Sequence, residues 1–225
     1  MARVRSDVTG AQLRRIHGRL LARFGHAGWW PGRSALEVCV GAILTQNTSW
    51  TNVEKAIGDL RRHGALSWRG LRAMPTSRLA RLVRSSGTYN VKARRLRAFL
   101  DFLGREYGGR VAAMARDDPW ELRARLLAVD GIGPETADSI VLYGAGLPLF
   151  VVDAYTRRVF ARLGFIRGDE PYDAIQAFFM KRLGPDAALY NDFHAQIVRL
   201  AKEVCRRRPR CAACPLERVC AKRGV

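Results

Sequence analysis

Four cysteines carry the first chemical signal. Cys205, Cys211, Cys214 and Cys220 are spaced C-x5-C-x2-C-x5-C, close enough for four thiolates to wrap one metal centre. Thiolates select zinc or iron–sulfur clusters. A structural zinc site usually pairs two short C-x2–4-C hooks. Here one short hook lies between two longer arms, a loop that suits an iron–sulfur cubane better than a single ion, with zinc as the alternative. Arg206, Arg207, Arg208 and Arg210 fill the first arm, and Arg218, Lys222 and Arg223 flank the last cysteine. A loop folded on a cluster would therefore offer cations to phosphates. The fifth cysteine, Cys39, between Val38 and Val40, reads as core.

A second signal runs from Leu127 to Ala137, reading helix, tight turn, helix. Gly131 and Gly133 bracket Ile132, and Pro134 stands where a helix accepts proline, in its first turn. Glycines there let backbone N–H groups approach a phosphate at a helix start, a grip that positions DNA without reading sequence. An ordinary helix–helix turn is the plainer reading. Downstream, Val151-Val152-Asp153 puts a carboxylate after an apolar run. Asp153 caps the helix starting at Ala154, faces the sugar of a flipped nucleotide, or does both.

These groups need a helical frame. Leu13, Ile16, Leu20 and Phe24 recur at steps of three and four, as do Val53, Ala56, Ile57 and Leu60. So do Leu96, Phe99, Leu100 and Leu103, then Trp120, Leu122, Leu126 and Leu127, and finally Tyr190, Phe193, Ile197, Leu200 and Val204. Glu37–Leu44 reads as a buried helix. No segment alternates like a strand, so the fold class is all-α. Lys and Arg number 39 against 20 acids, a net charge of +19, and such a field attracts DNA or RNA. Arg-rich codon usage supplies part of that excess. Met1–Gly10 has no apolar signal-peptide core and no run is long enough to span a membrane, so a cytoplasmic, nucleoid-associated protein is expected. There, clustered cysteines mean metal rather than disulfides.

Taken together, these motifs resemble the endonuclease III family of the helix-hairpin-helix (HhH-GPD) DNA glycosylases, from about Leu36 to Cys220. The resemblance implies a two-lobed fold, with a bundle over 34–147 ending in the hairpin. A discontinuous domain, 1–33 plus 148–225, would carry a 4Fe–4S cluster loop (205–220), and the DNA cleft would lie between the lobes. It implies that Asp153 is catalytic and that Gln46, or its neighbour Asn47, enters the gap left by the flipped base. Gly131, Ile132, Gly133 and Thr136 would grip DNA, with or without a monovalent cation at the hairpin. Two departures stand out. The first cysteine arm is one residue shorter than the family's six. Glu135 also replaces the lysine whose amine forms a Schiff base in bifunctional members, which implies a monofunctional enzyme with Glu135 as a second polar group.

Trp29-Trp30-Pro31 and the Leu44–Thr48 motif resemble the 3-methyladenine glycosylase branch. Trp29, Trp30 and Trp50 are then the candidate walls of a base pocket. The expected partner is duplex DNA with a damaged or abasic nucleotide, bound by a monomer. Two alternatives are an endonuclease III-like glycosylase and AP lyase acting on oxidised pyrimidines, and a damaged-DNA-binding protein without catalysis. Tyr143, His194 and Lys181 could join the site, but nothing in the sequence separates them from packing or surface residues.

Overall fold

The computed structural model describes residues 8–26, 28 and 30–225. In chain order the helices are α1 (Gly10–Phe24), α2 (Ala35–Leu44), α3 (Trp50–Arg62), α4 (Trp68–Ala73), α5 (Thr76–Leu82), α6 (Tyr89–Tyr107), α7 (Pro119–Leu127), α8 (Pro134–Ser139), α9 (Ala154–Leu163), α10 (Tyr172–Leu183) and α11 (Ala187–Glu203). The described residues contain no strand, and no helix among them is long and apolar enough to cross a membrane. The chain divides into two compact units, Pro31–Leu147 and Met1–Trp30 with Pro148–Val225.

The Pro31–Leu147 unit is built around α2. Ser34 starts this helix by accepting the Glu37 N–H at 3.2 Å. Every residue from Glu37 to Leu44 is then buried. A helix without a polar face must lie inside its unit, and α2 packs against α3, α6, α8 and the wider π turn, Ile140–Gly144, that continues α8. One carboxylate in this apolar helix needs a partner: Glu37 meets Arg61 of α3 at 2.7 Å. The expected stripes of α3 and α6 are buried. Cys39 is core, with its thiol pushed up to about 12 by burial. The α7 stripe is only half as expected. Leu122 and Leu126 are buried, whereas Trp120 is 50% exposed and Leu127 also faces outward. In so short a helix the pair four apart covers the inner face.

The other unit has an aromatic centre. Phe150 stacks on Phe179 with centroids 4.1 Å apart, and Phe160, Tyr190 and Phe193 close around them edge-on. Leu13, Ile16 and Leu20 of α1 bury against α10 and α11. Phe24 is half-buried under the Arg199 guanidinium.

Candidate active site

The glycine hairpin joins α7 to α8. Gly131 has φ +77°, a left-handed conformation that favours glycine. A Cβ there would lie 2.3 Å from Arg95 Cγ. The Ile132 side chain is a buried plug. Gly133 is exposed and extended, and nothing stands within 4 Å of where its Cβ would be. No side chain caps the first turn of α8. Pro134 has no N–H, so the first turn of α8 has one backbone donor fewer than a helix start usually leaves over. Glu135 is exposed in that turn. Thr136 is buried, so at Ile132 and Thr136 only backbone is offered to a ligand.

The turn after α2 is tied to this hairpin. Gln46 Nε2 donates to Gly131 O and to Thr136 Oγ1, both at 3.0 Å. Its Oε1 accepts from the Arg95 guanidinium. Asn47 is exposed and has φ +53°. Behind them Lys92 is 1% exposed, and its Nζ donates to Leu44 O at 2.8 Å and to Ser86 O. Burial, with the nearby Arg95 charge, lowers its pKa to about 8. Sequence reasoning missed both cations. Lys92 was findable, because it stands four residues before Leu96 on the apolar stripe of α6; Arg95 left no comparable mark.

In the other unit, Asp153 is the N-cap of α9, and its Oδ1 accepts the Thr156 N–H at 2.7 Å. The preceding extended run is anchored where Gln176 Nε2 donates to Phe150 O at 2.8 Å and the Val152 N–H reaches Tyr172 Oη at 3.3 Å. The Asp153 side chain is 13% exposed, with Oδ2 3.6 Å from His194 Nε2 of α11. Burial pushes the carboxyl up, but His194 and the Thr156 N–H outweigh it, so the group is held below the usual carboxylate value. His194 is itself buried, and the fold gives it the distinction that its sequence context lacked.

Trp50 is the first residue of α3 and Trp30 follows α1; both are half-buried. Trp29 lies outside the described residues. Tyr143 is half-buried in the π turn, and Lys181 is exposed on α10.

Cys205, Cys211, Cys214 and Cys220 all line one small cavity of about 30 Å³. Burial raises the Cys214 thiol; the Leu216 backbone N–H lowers it, and the other three cysteines raise it further. Arg162, in the last turn of α9, holds this loop. Its Nη1 lies 3.4 Å from Cys205 Sγ and 2.6 Å from Arg206 O, while its carbonyl accepts from Cys220 Sγ at 3.3 Å. Among the described residues, no three His, Cys, Asp or Glu side chains converge to bind a metal ion directly.

Comparisons with known proteins agree with this frame. Residues 40–185 match the family model described as HhH-GPD superfamily base excision DNA repair protein. A candidate DNA repair glycosylase of Methanocaldococcus jannaschii is 44% identical over 207 residues, 92% of this chain and 94% of that protein. The H. pylori 3-methyladenine DNA glycosylase, solved with 1,N6-ethenoadenine, matches with TM-score 0.75 and 29% identity over 86% of this chain and 97% of its own. An endonuclease III solved in a non-covalent DNA complex matches with TM-score 0.79 and 25% identity over 96% of each chain. The chain belongs to the HhH-GPD superfamily of base excision DNA repair proteins.

Proposed function

We propose that this protein is a monofunctional DNA glycosylase that flips a damaged base, an alkylated purine in the leading case, and hydrolyses its N-glycosidic bond. The observation that carries this reading is Asp153. It is a carboxylate fixed by the Thr156 N–H and held below its usual value with His194 beside it, and by resemblance to the family it is the catalytic aspartate. Cleavage of the glycosidic bond develops oxocarbenium charge on the sugar. A preorganised anion stabilises that charge and orients the attacking water. Glu135 occupies the place of the lysine nucleophile, and a carboxylate cannot form an imine.

The start of α8, which no side chain caps, holds a DNA phosphate, with or without a monovalent cation. Asn47, exposed on its turn, fills the gap left by the base, because Gln46 already spends its amide on Arg95 and the hairpin. Trp50 and Trp30 are the base-stacking candidates. An N-alkylated purine is cationic, which makes it a good leaving group and favours an indole face. The H. pylori relative, named for 3-methyladenine, supports this substrate class.

The donor set fits a 4Fe–4S cluster. Four thiols share one cavity, and a guanidinium N–H is directed at a sulfur, a contact that stabilises thiolate. Cys205, Cys211, Cys214 and Cys220 would hold it. When bound, it supplies a rigid core for a loop rich in arginine. Purified protein is then yellow-brown, absorbing near ~400 nm; a colourless zinc protein overturns the assignment.

A panel of duplexes with alkylated, oxidised and mismatched bases tests the function. Release is expected from alkylated purines, with no covalent adduct on borohydride reduction. A strong adduct, or release confined to oxidised pyrimidines, favours the endonuclease III-like alternative.

A further inference from the structure

We propose that Arg95 is a positioning residue that clamps the turn bearing Asn47 onto the glycine hairpin, so that gripping a phosphate and filling the gap in the duplex become one coordinated event. This rests on the reading of Asn47 and the hairpin given above.

The geometry is confined to one unit. Gln46 immediately precedes Asn47, and its amide is spoken for on both sides. Oε1 accepts a hydrogen bond from Arg95, and Nε2 donates to Gly131 O and to Thr136 Oγ1. Only one orientation of the amide satisfies all three, because the reverse would set NH2 against a guanidinium and oxygen against a carbonyl. Arg95 also reaches the hairpin through its stem. It lies across Gly131 so closely that a Cβ would come within 2.3–2.5 Å of Cγ, Cδ and Nε. One arginine of α6 thus touches the turn with its head and the hairpin with its stem.

One turn earlier on the same helix, Lys92 holds Leu44 O, the last residue of α2 and two before Gln46. The turn is pinned at both its start and its middle, and Asn47, next to the pinned Gln46, is left exposed. A substitution that frees Gln46 should leave the phosphate grip intact and uncouple Asn47 from it.

The test uses the full-length protein and a duplex with a stable tetrahydrofuran abasic analogue opposite 2-aminopurine, whose fluorescence reports a side chain entering the stack. Arg95→Met is expected to slow that change about tenfold, Gln46→Leu to do the same, and the double variant to be no worse than either. Arg95→Lys, which still reaches Oε1 with a charge, should recover most of the rate. Affinity for undamaged duplex should stay within about twofold of the parent, and its salt slope should not change. The inference is overturned by a salt slope that falls by about one unit, which would make Arg95 a phosphate contact, or by multiplicative single effects. If Arg95→Met does not fold, Gln46→Leu reads the same clamp from its other side, and an unchanged rate there is equally fatal. Asn47→Ala separates the two claims. If it leaves the signal unchanged, the Asn47 reading fails; if it removes the signal while both clamp variants keep it, only the Arg95 inference fails.

Discussion

At the start of α8 the capping position is Gly133, which offers no side chain to the first-turn amides. At the start of α9 it is Asp153, whose own carboxylate takes the Thr156 N–H. Both helix starts carry surplus donors and partial positive charge, with one donor fewer at α8, where Pro134 has no N–H. The first leaves that field available to an anion from outside. The second spends it on a resident anion, which is thereby oriented and kept ionised. On the reading proposed above, Gly-Pro and Asp-Ala would mark two different uses of one backbone feature: binding at α8 and chemistry at α9. The supports differ accordingly. Polar side chains, Gln46, Arg95 and Lys92, brace the hairpin and the turn beside it. An apolar strand-like run over an aromatic core leads into Asp153.

The largest effect should come from Asp153→Asn. Asparagine caps helices about as well as aspartate, so stability should change by less than about 1 kcal/mol. The charge is lost, and single-turnover base release should fall by about 100-fold or more. Asp153→Ala should lose the same activity and about 1 kcal/mol of stability besides. If Asp153→Asn releases base at the parental rate, Asp153 is only a cap and the contrast with α8 disappears. The folded carboxyl titrates below its usual value, so its ionised form and the stabilising contacts it makes persist above the unfolded pKa. They are lost as pH falls through the folded value.

The two hairpin glycines should separate next. Gly133→Ala adds a methyl in open space on an extended backbone, so the melting transition should barely move, by less than about 0.5 kcal/mol. That methyl stands before the α8 amides, and duplex affinity should drop about tenfold, the scale of one charge-assisted hydrogen bond. Gly131→Ala meets Arg95 on a left-handed backbone and should cost about 1–3 kcal/mol of stability. Unchanged DNA affinity in Gly133→Ala would show that α8 does not use its open start for phosphate.

Much of this arrangement was legible. The 3.6-residue periodicity marks α1, α3, α6 and α11, because each buries one stripe against its neighbours. Gly131, Pro134 and Asp153 declare their local conformations through their own backbone and capping chemistry. What could not be read depends on partners distant in sequence. Trp120 looked like core because an aromatic at helical spacing carries no sign of which flank faces outward. Asp153 and His194 are about forty residues apart, and only the packing of α9 on α11 brings them within 3.6 Å. Gln46 and Asn47 were alternatives for the group that enters DNA, and no sequence signal marks the hydrogen bonds of the Gln46 amide to residues 85 and 90 positions away.

Lys92 gives the smallest but most specific prediction about the brace beside the hairpin. Its ammonium lies in the interior with carbonyl partners, and burial with the Arg95 charge lowers its pKa from 10.5 to about 8. Between those values the unfolded chain binds a proton that the folded chain does not. Stability from this site therefore rises with pH across that window, the direction required when the unfolded state holds more protons. Lys92→Met removes the titration and also leaves Leu44 O and Ser86 O without their donor, at a cost of about 1–3 kcal/mol for each buried acceptor. Denaturant unfolding of the two proteins from pH 7 to pH 10 should thus show the parent more stable throughout, with its advantage growing above pH 8. A constant difference would mean that Lys92 titrates as it does in water, and that the brace behind the turn is solvated rather than dry.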